Sequence, residues 1–451
     1  MAIGDNSNGT AVAPPARRRT SFKAADPTKS AFFWLSAFFL VYCARPEDWV
    51  PGLKYIPLAK ITAVLAMWGL FNSIGRTKRT LKNLPREATL LLTMIILMYL
   101  SGALSPIWKG GAISHTIDYS KVYIAWVLVF LIVTTFQRLR HIIFIQSVSV
   151  AVACAAALVK GHGVPRLDSV LGGIYGNPND LAFAIVLAVP FVLAFLVTTK
   201  NPLAKAMWLI GMLIMAVTLL VTASRAGFID LIISGTVTLY YFGIKGRRFY
   251  LIVATFMVGT VILVTAGGKL YDRFAALSGD SATDKAAYES FEARKYLMFR
   301  ALEGIEQYPL FGVGMRNFEE YSLIWHDVHM TYLQICVEGG IPVMILYLWF
   351  FAIAFRKLKV LRRRTDLDPD VVLFIGALTS SLVGFVVGAL FAPEAYQLFP
   401  YFSVAFIATL LQTVNEEDQG KDSVTPPPKR PRHFLEVYAD HGRAGAVAPV
   451  R

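Results

Sequence analysis

Apolar windows of about 20 residues recur along most of this chain, each long enough to cross a hydrocarbon core about 30 Å thick. Backbone in that medium has to satisfy its own N–H and C=O groups, so such windows are read as helices. The charge content agrees, since only 16% of the 451 residues are charged and 55% are hydrophobic, whereas soluble domains carry about 25% charged residues. The expected fold class is all-α: a polytopic membrane protein of about twelve transmembrane helices, with one long periplasmic loop containing an amphipathic helix.

Residues 1–30 are polar, with Pro14, Pro15 and the basic run Arg17–Arg19, and are expected to form a disordered cytoplasmic lead-in without a cleavable signal peptide. Transmembrane helices 1–9 are expected within 31–266, the long periplasmic loop at 267–328, and transmembrane helices 10–12 within 329–413. The charged, Pro-rich stretch 414–451 is expected to be a disordered cytoplasmic tail.

The net charge of +14 is distributed in a way that argues against nucleic acid as a partner. Arg76, Lys78, Arg79, Lys82 and Arg86 fall between two windows, and Lys245, Arg247 and Arg248 between two others. Arg138 and Arg140, Lys200 and Lys205, and Arg356 to Arg364 continue the alternation. This is the positive-inside pattern, so both termini are placed in the cytoplasm, with membrane lipids as the partner of the basic loops. Cys43, Cys154 and Cys336 lie inside apolar windows without ligand-like spacing, and are read as packing residues.

Chemistry is expected where polar residues meet helix ends on the other side. The loop 267–328 is long for a compact fold and is not of low complexity. Phe291, Met298, Leu302 and Ile305 fall at helical spacing and predict an amphipathic helix. Pro309 and the glycines of FGVG then turn the chain back towards the bilayer. His326, Asp327 and His329 stand at the re-entry, in WHDVHMTYLQ. A histidine there is a candidate general base, because its unperturbed pKa lies near neutrality; the structural alternative is an interfacial ring bonded to backbone. A third ligand for a metal is not evident nearby, so no metal is assigned.

Arg225, in VTASRAGF, opens a helix that Thr222 or Ser224 is placed to cap. An arginine at a helix N-terminus suits a phosphate, and equally an arginine near a helix end can reach lipid headgroups. Arg294, on the loop helix, shares the face of Phe291 and Met298; it and Arg300 are candidates for a second contact to phosphate, or for headgroup contact. Arg316 follows Gly312 and Gly314 and is a further candidate for substrate, as is His326. Glu338, in QICVEGG, is an intramembrane carboxylate beside a Gly-Gly-x-Pro interruption; it is a candidate for substrate and also for satisfying freed backbone. Asn177, Asn179 and Asp180 in GNPNDLA are explained by helix capping.

TASRAGF, the segment ARKYLMFRALEGIEQYPLFGVGMRNF, VHMTYLQICVEGGIPVMILYL and GNPNDLA together resemble the O-antigen ligase and polymerase superfamily. The resemblance covers roughly 170–350; the N-terminal third matches in pattern only. It implies about twelve membrane helices with a large loop between the ninth and tenth. It also implies a glycosyltransferase that takes glycan from an undecaprenyl-diphosphate-linked donor to an acceptor hydroxyl of a glycan, lipid or protein, without cofactor or metal. Two family arginines that contact the diphosphate correspond to Arg225 and Arg294, and the family's proposed base to His329. Met330 stands where the family commonly has Asn or Ser, which bears on acceptor positioning. Two rival readings are a polymerase of repeat units within the same superfamily and, in another class, a transporter using Asp230 and Glu338 near the bilayer midplane.

Overall fold

The structure, a computed structural model, describes residues 26–164, 166–167, 170–257, 259–260, 264, 285–324 and 326–424. Among them the chain is helical, with no strand. The principal helices in chain order are α1 (Lys29–Ala44), α2 (Leu58–Phe71), α3 (Arg86–Leu104), α4 (Lys109–Ile132), α5 (Phe136–Lys160), α6 (Pro178–Thr198) and α7 (Pro202–Thr222). They continue with α8 (Arg225–Leu239), α9 (Lys285–Gln307), α10 (Phe318–Ser322), α11 (Thr331–Arg363), α12 (Pro369–Gly388) and α13 (Leu398–Val424).

Among the described residues nine helices, α3 to α8 and α11 to α13, are long and apolar enough to cross a membrane. The apolar helices α1 and α2 have only 16 and 14 residues, and at about 1.5 Å per residue they fall short of a full crossing. The expected ninth span, Phe249–Ala266, is helical over 249–257, and its remainder lies mostly outside the described residues. So do the expected lead-in over 1–25, residues 267–284 of the long loop, and 425–451 of the tail. The expected tail begins differently from the sequence reading, because α13 continues as helix from Leu398 to Val424.

Helices α6, α12 and α13 are each about four-fifths buried over their apolar windows, whereas α7 is buried over about a fifth of its window. The first three form the centre of the bundle, with α8 packed on α12 and α6, and α7 on the outside of α6. Sequence explains the centre: α6 is apolar on all faces, a pattern that fits a helix surrounded by others. Leu203, Met207, Ile210 and Leu213 on α7 remain exposed, as a lipid-facing surface requires.

Two ionic ties lock the end of the bundle away from α8's N-terminus. Lys357 Nζ of α11 lies 2.7 Å from Oε1 of the fully buried Glu87 on α3. Arg79, read from sequence as a basic-loop residue, is 2% exposed. It donates to the carbonyls of Phe130 and Val133 at the end of α4 (3.0 and 2.7 Å), to Thr413 Oγ1 (2.8 Å) and to Glu416 (2.9 Å). It therefore satisfies the orphan carbonyls of one helix while anchoring another. Arg79→Ala leaves those acceptors buried without a donor, and is expected to cost roughly 2–4 kcal/mol. Thermal unfolding of the purified protein in detergent checks it.

Candidate active site

The site is assembled where α6, α8 and α11 begin. Ala223, in the left-handed conformation (φ 49°), ends α7. Ser224 then caps α8, its Oγ accepting from the Gly227 N–H at 3.1 Å and donating to Asn179 Oδ1 at 2.7 Å. That bond ties SRAG to GNPND: Asn177 caps α6, and Asn179 reaches across to hold the start of α8. A Cβ on Gly227 would stand 2.7 Å from the Cβ of Ala182, so glycine is what lets the two helix ends meet. Arg225 is thereby fixed as the first residue of α8, beside the partial positive charge of the helix start.

The third wall comes from the re-entry. Helix α11 is broken at Gly340 (φ 83°, ψ 169°), and Pro342 restarts it. The segment 309–314 is stitched to the break by three main-chain bonds: Val313 N–H to Val337 O (2.8 Å), Gly314 N–H to Glu338 O (3.0 Å) and Ile341 N–H to Pro309 O (2.8 Å). Thr331 pins the start of α11 to the connection between α12 and α13, its N–H donating to Ala389 O (2.9 Å) and its hydroxyl to Ala392 O (2.7 Å). His329, two residues before, is held in place by this anchor.

Arg225, Arg294 and His329 line one cleft of about 500 Å3, together with Lys295, Met298 and Phe391. Its lining is apolar apart from these charged and polar groups, which fits a lipid-borne anion better than a free sugar. Burial, then the neighbouring guanidinium groups of Arg225 and Arg166, lower the pKa of Arg294. Arg294 Nε is buried and has no hydrogen-bond partner among the described residues. The guanidinium groups of Arg294, Arg225 and Arg166 thus lie near enough to act on one another, a concentration of positive charge suited to an anion. Burial, followed by Arg294 and His326, pushes the His329 pKa down to about 4. Its imidazole is neutral near pH 7 and able to take a proton.

The other sequence candidates stand elsewhere. Arg300 bonds Glu303 and the Tyr321 carbonyl (3.1 Å) and lies over the Tyr321 ring, in the small core beneath α9. His326 is exposed and lines neither this cleft nor the next. Glu338 is fully buried; Tyr396 donates to its Oε2, and its main-chain carbonyl accepts from Ser101 Oγ at 2.7 Å. Arg316 pairs with Asp327 at 3.4 Å and lines a second cleft of about 300 Å3, with His115, Asp118, Tyr396 and Gln397. The two clefts flank the same segments: Leu390 and Phe391 face the first, Pro393 and Gln397 the second.

Three features escaped the sequence reading. Arg166 belongs to the cation cluster although it lies in an irregular loop, bonded through Nε to Thr222 O at 3.1 Å. The packed face of α9 is the second: Leu297 and Ala301 are buried with Val313, Phe318 and Val337, and Ile305 packs on them, whereas Met298 and Leu302 are exposed by 39% and 47%. The side chain of Phe291 lies outside the described residues. Asp180, expected as a cap, faces instead the buried Glu394, whose pKa is raised well above the usual carboxylate range by burial and by Asp180.

Among the described residues the chain is therefore a bundle of apolar helices long enough to cross a membrane, with a cation-lined, partly apolar cleft where α8 begins. Residues 210–348 match the family described as Wzy_C, O-Antigen ligase, a stretch that runs from α7 into α11 and holds Arg225, Arg294 and His329. Over this stretch, which is less than half of the chain, the protein is similar to the O-antigen ligase family. No curated protein matches the chain.

Proposed function

We propose that this protein is an inner-membrane glycosyltransferase that moves glycan from an undecaprenyl-diphosphate donor to an acceptor hydroxyl on the periplasmic side, as an O-antigen ligase does. The observation that supports it most is the meeting of Arg225, Arg294 and His329 in one cleft, from three separate elements. The apolar wall takes the first isoprene units, and Arg225, Arg294 and Arg166 meet the diphosphate. His329 withdraws the acceptor proton as the acceptor oxygen attacks the anomeric carbon. The bond from that carbon to the diphosphate oxygen breaks, and the electron pair leaves with the diphosphate, whose growing charge the guanidinium groups stabilise. Attack opposite the leaving group inverts the anomeric centre. The second, polar cleft is read as the place of the acceptor's sugars, with Arg316, Asp118 and Gln397 as partners for hydroxyl groups.

Transfer in proteoliposomes from a defined undecaprenyl-diphosphate glycan tests the reading. Arg225→Ala and Arg294→Ala are each expected to lower kcat/KM by about 10²–10³-fold. The double variant should lose less than the product of the two, because both act on one leaving group. Near-normal turnover of either variant at equal membrane levels overturns the assignment. A ladder of lengthening products, in place of a single transfer, assigns the protein to polymerisation instead. Glycan flux without transfer assigns it to transport.

A further inference from the structure

The far end of α8 carries a second site. From Arg225 to Lys245 the helix has 21 residues, a rise of about 30 Å, so its two ends are one hydrocarbon thickness apart. Over Tyr240–Lys245 the helix widens to a π-helix, a form that appears mostly as single turns and frequently at functional sites. The wide turn lies against α12 where Gly376 leaves room: a Cβ there would stand 3.1 Å from the Cβ of Tyr241.

Between this turn, the end of α11 and the start of α12 is a cleft of about 330 Å3. Its floor is apolar, formed by Phe242, Leu361, Leu373 and Ile375, and its rim carries Lys245, Arg248, Arg362 and Arg364. These cations are unequally engaged. Arg364 is paired with Asp366 and with Asp418, the latter at 2.8 Å. Arg362 lies over the Tyr241 ring and donates to its hydroxyl. Lys245 Nζ stands 5.3 and 5.7 Å from the ring centres of Tyr240 and Tyr241, and Arg248 makes only a 3.5 Å contact with the Gly246 carbonyl. Among the described residues neither Lys245 nor Arg248 has a carboxylate within ion-pair distance.

We propose that this cleft binds an anionic phospholipid of the leaflet opposite the glycan-transfer cleft. The phosphate is held by Lys245, Arg248 and Arg362, and an acyl chain lies along Phe242, Leu373 and Ile375. A phosphate free in solution answers the rim but leaves the floor unused. A zwitterionic lipid answers the floor, but its own ammonium group meets the cations. Only an amphiphile with a net negative head satisfies both. The π turn matters because it carries Tyr241 and Lys245 on one wide loop of backbone, so that the aromatic ring under Arg362 and the free ammonium share a rim. The site rests on none of the residues assigned to transfer, so it stands or falls separately from that reaction.

Native mass spectrometry of the purified full chain in detergent tests it, with phosphatidylglycerol, phosphatidylcholine and inorganic phosphate titrated in parallel. Phosphatidylglycerol is expected to bind with a discrete stoichiometry, and the double variant Lys245→Gln, Arg248→Gln to bind it about 10- to 30-fold more weakly. The control double variant Arg356→Gln, Lys359→Gln removes the same charge near the end of α11 without touching the cleft lining, and is expected to bind as the wild type does. Equal weakening in the control reduces the effect to diffuse surface charge and overturns the proposal. Equal affinity for phosphatidylcholine overturns the role of the rim, and equal affinity for inorganic phosphate overturns the role of the floor. Thermal unfolding of each variant confirms that folded protein is compared.

Discussion

His329→Ala is expected to lower glycan transfer by about 10²–10⁴-fold, the usual contribution of a positioned general base. The loss should appear in kcat, with donor binding retained, because the diphosphate contacts come from Arg225 and Arg294 across the cleft. Its signature is in pH. With a pKa of about 4, the ring of the free enzyme is neutral and competent above that value and protonated below it. The acid limb of kcat/KM therefore belongs near pH 4, well under the ordinary histidine range, and should vanish in the variant. The kcat limb should lie higher, since a bound diphosphate favours the imidazolium. An acid limb unchanged by the substitution would assign the proton transfer to another group, and the nearest titratable carboxylate at the re-entry is Asp327.

Gly340→Ala is expected to destabilise the protein severely for a change of one methyl group. At φ 83° and ψ 169° the residue occupies backbone space essentially reserved for glycine, and a Cβ would stand 2.3 Å from the Leu310 carbonyl oxygen. The oxygen belongs to main chain that is itself bonded to the helix break, so it has nowhere to move. A loss of about 3 kcal/mol is expected from strain and contact together. Gly339→Ala is the companion measurement. There the added methyl meets side chains rather than main chain, standing 2.6 Å from the Cε of Met98 and 3.0 Å from the Cβ of Val343, at a residue without a positive φ. Unfolding temperatures should fall sharply for the first variant and little for the second, and transfer should follow the same order. Equal effects would mean that the break in α11 is not what holds the segment 309–314.

What could be read beforehand, and what could not, separates along physical lines. The helices from α3 onwards were legible because hydrocarbon admits only long apolar windows. The break within α11 at EGGIP was legible because paired glycines and a proline interrupt a helix. The packed face of α9 was not legible because in a membrane protein lipid-facing surface is as apolar as packed surface. Periodicity found Met298 and Leu302, which are exposed, and passed over Ala301, which is buried. Arg79 was assigned to a basic loop facing membrane lipids, yet the fold places it against α4 and α13, where a guanidinium's several donors suit the ends of helices. Arg166 and Glu394 had no local signal at all, since each acquires its role from residues more than fifty positions away.

Sequence alone determined that the chain is a bundle of apolar helices and marked Arg225, Arg294 and His329 as separate candidates, each on its own motif. Only the tertiary structure decided that these three share a cleft while Arg300, Glu338 and Arg316 are turned to other partners. The reason is that spacing along a helix fixes which neighbours share a face, whereas proximity between α8, α9 and the start of α11 depends on the Ser224–Asn179 bond and on the broken turn at Gly340.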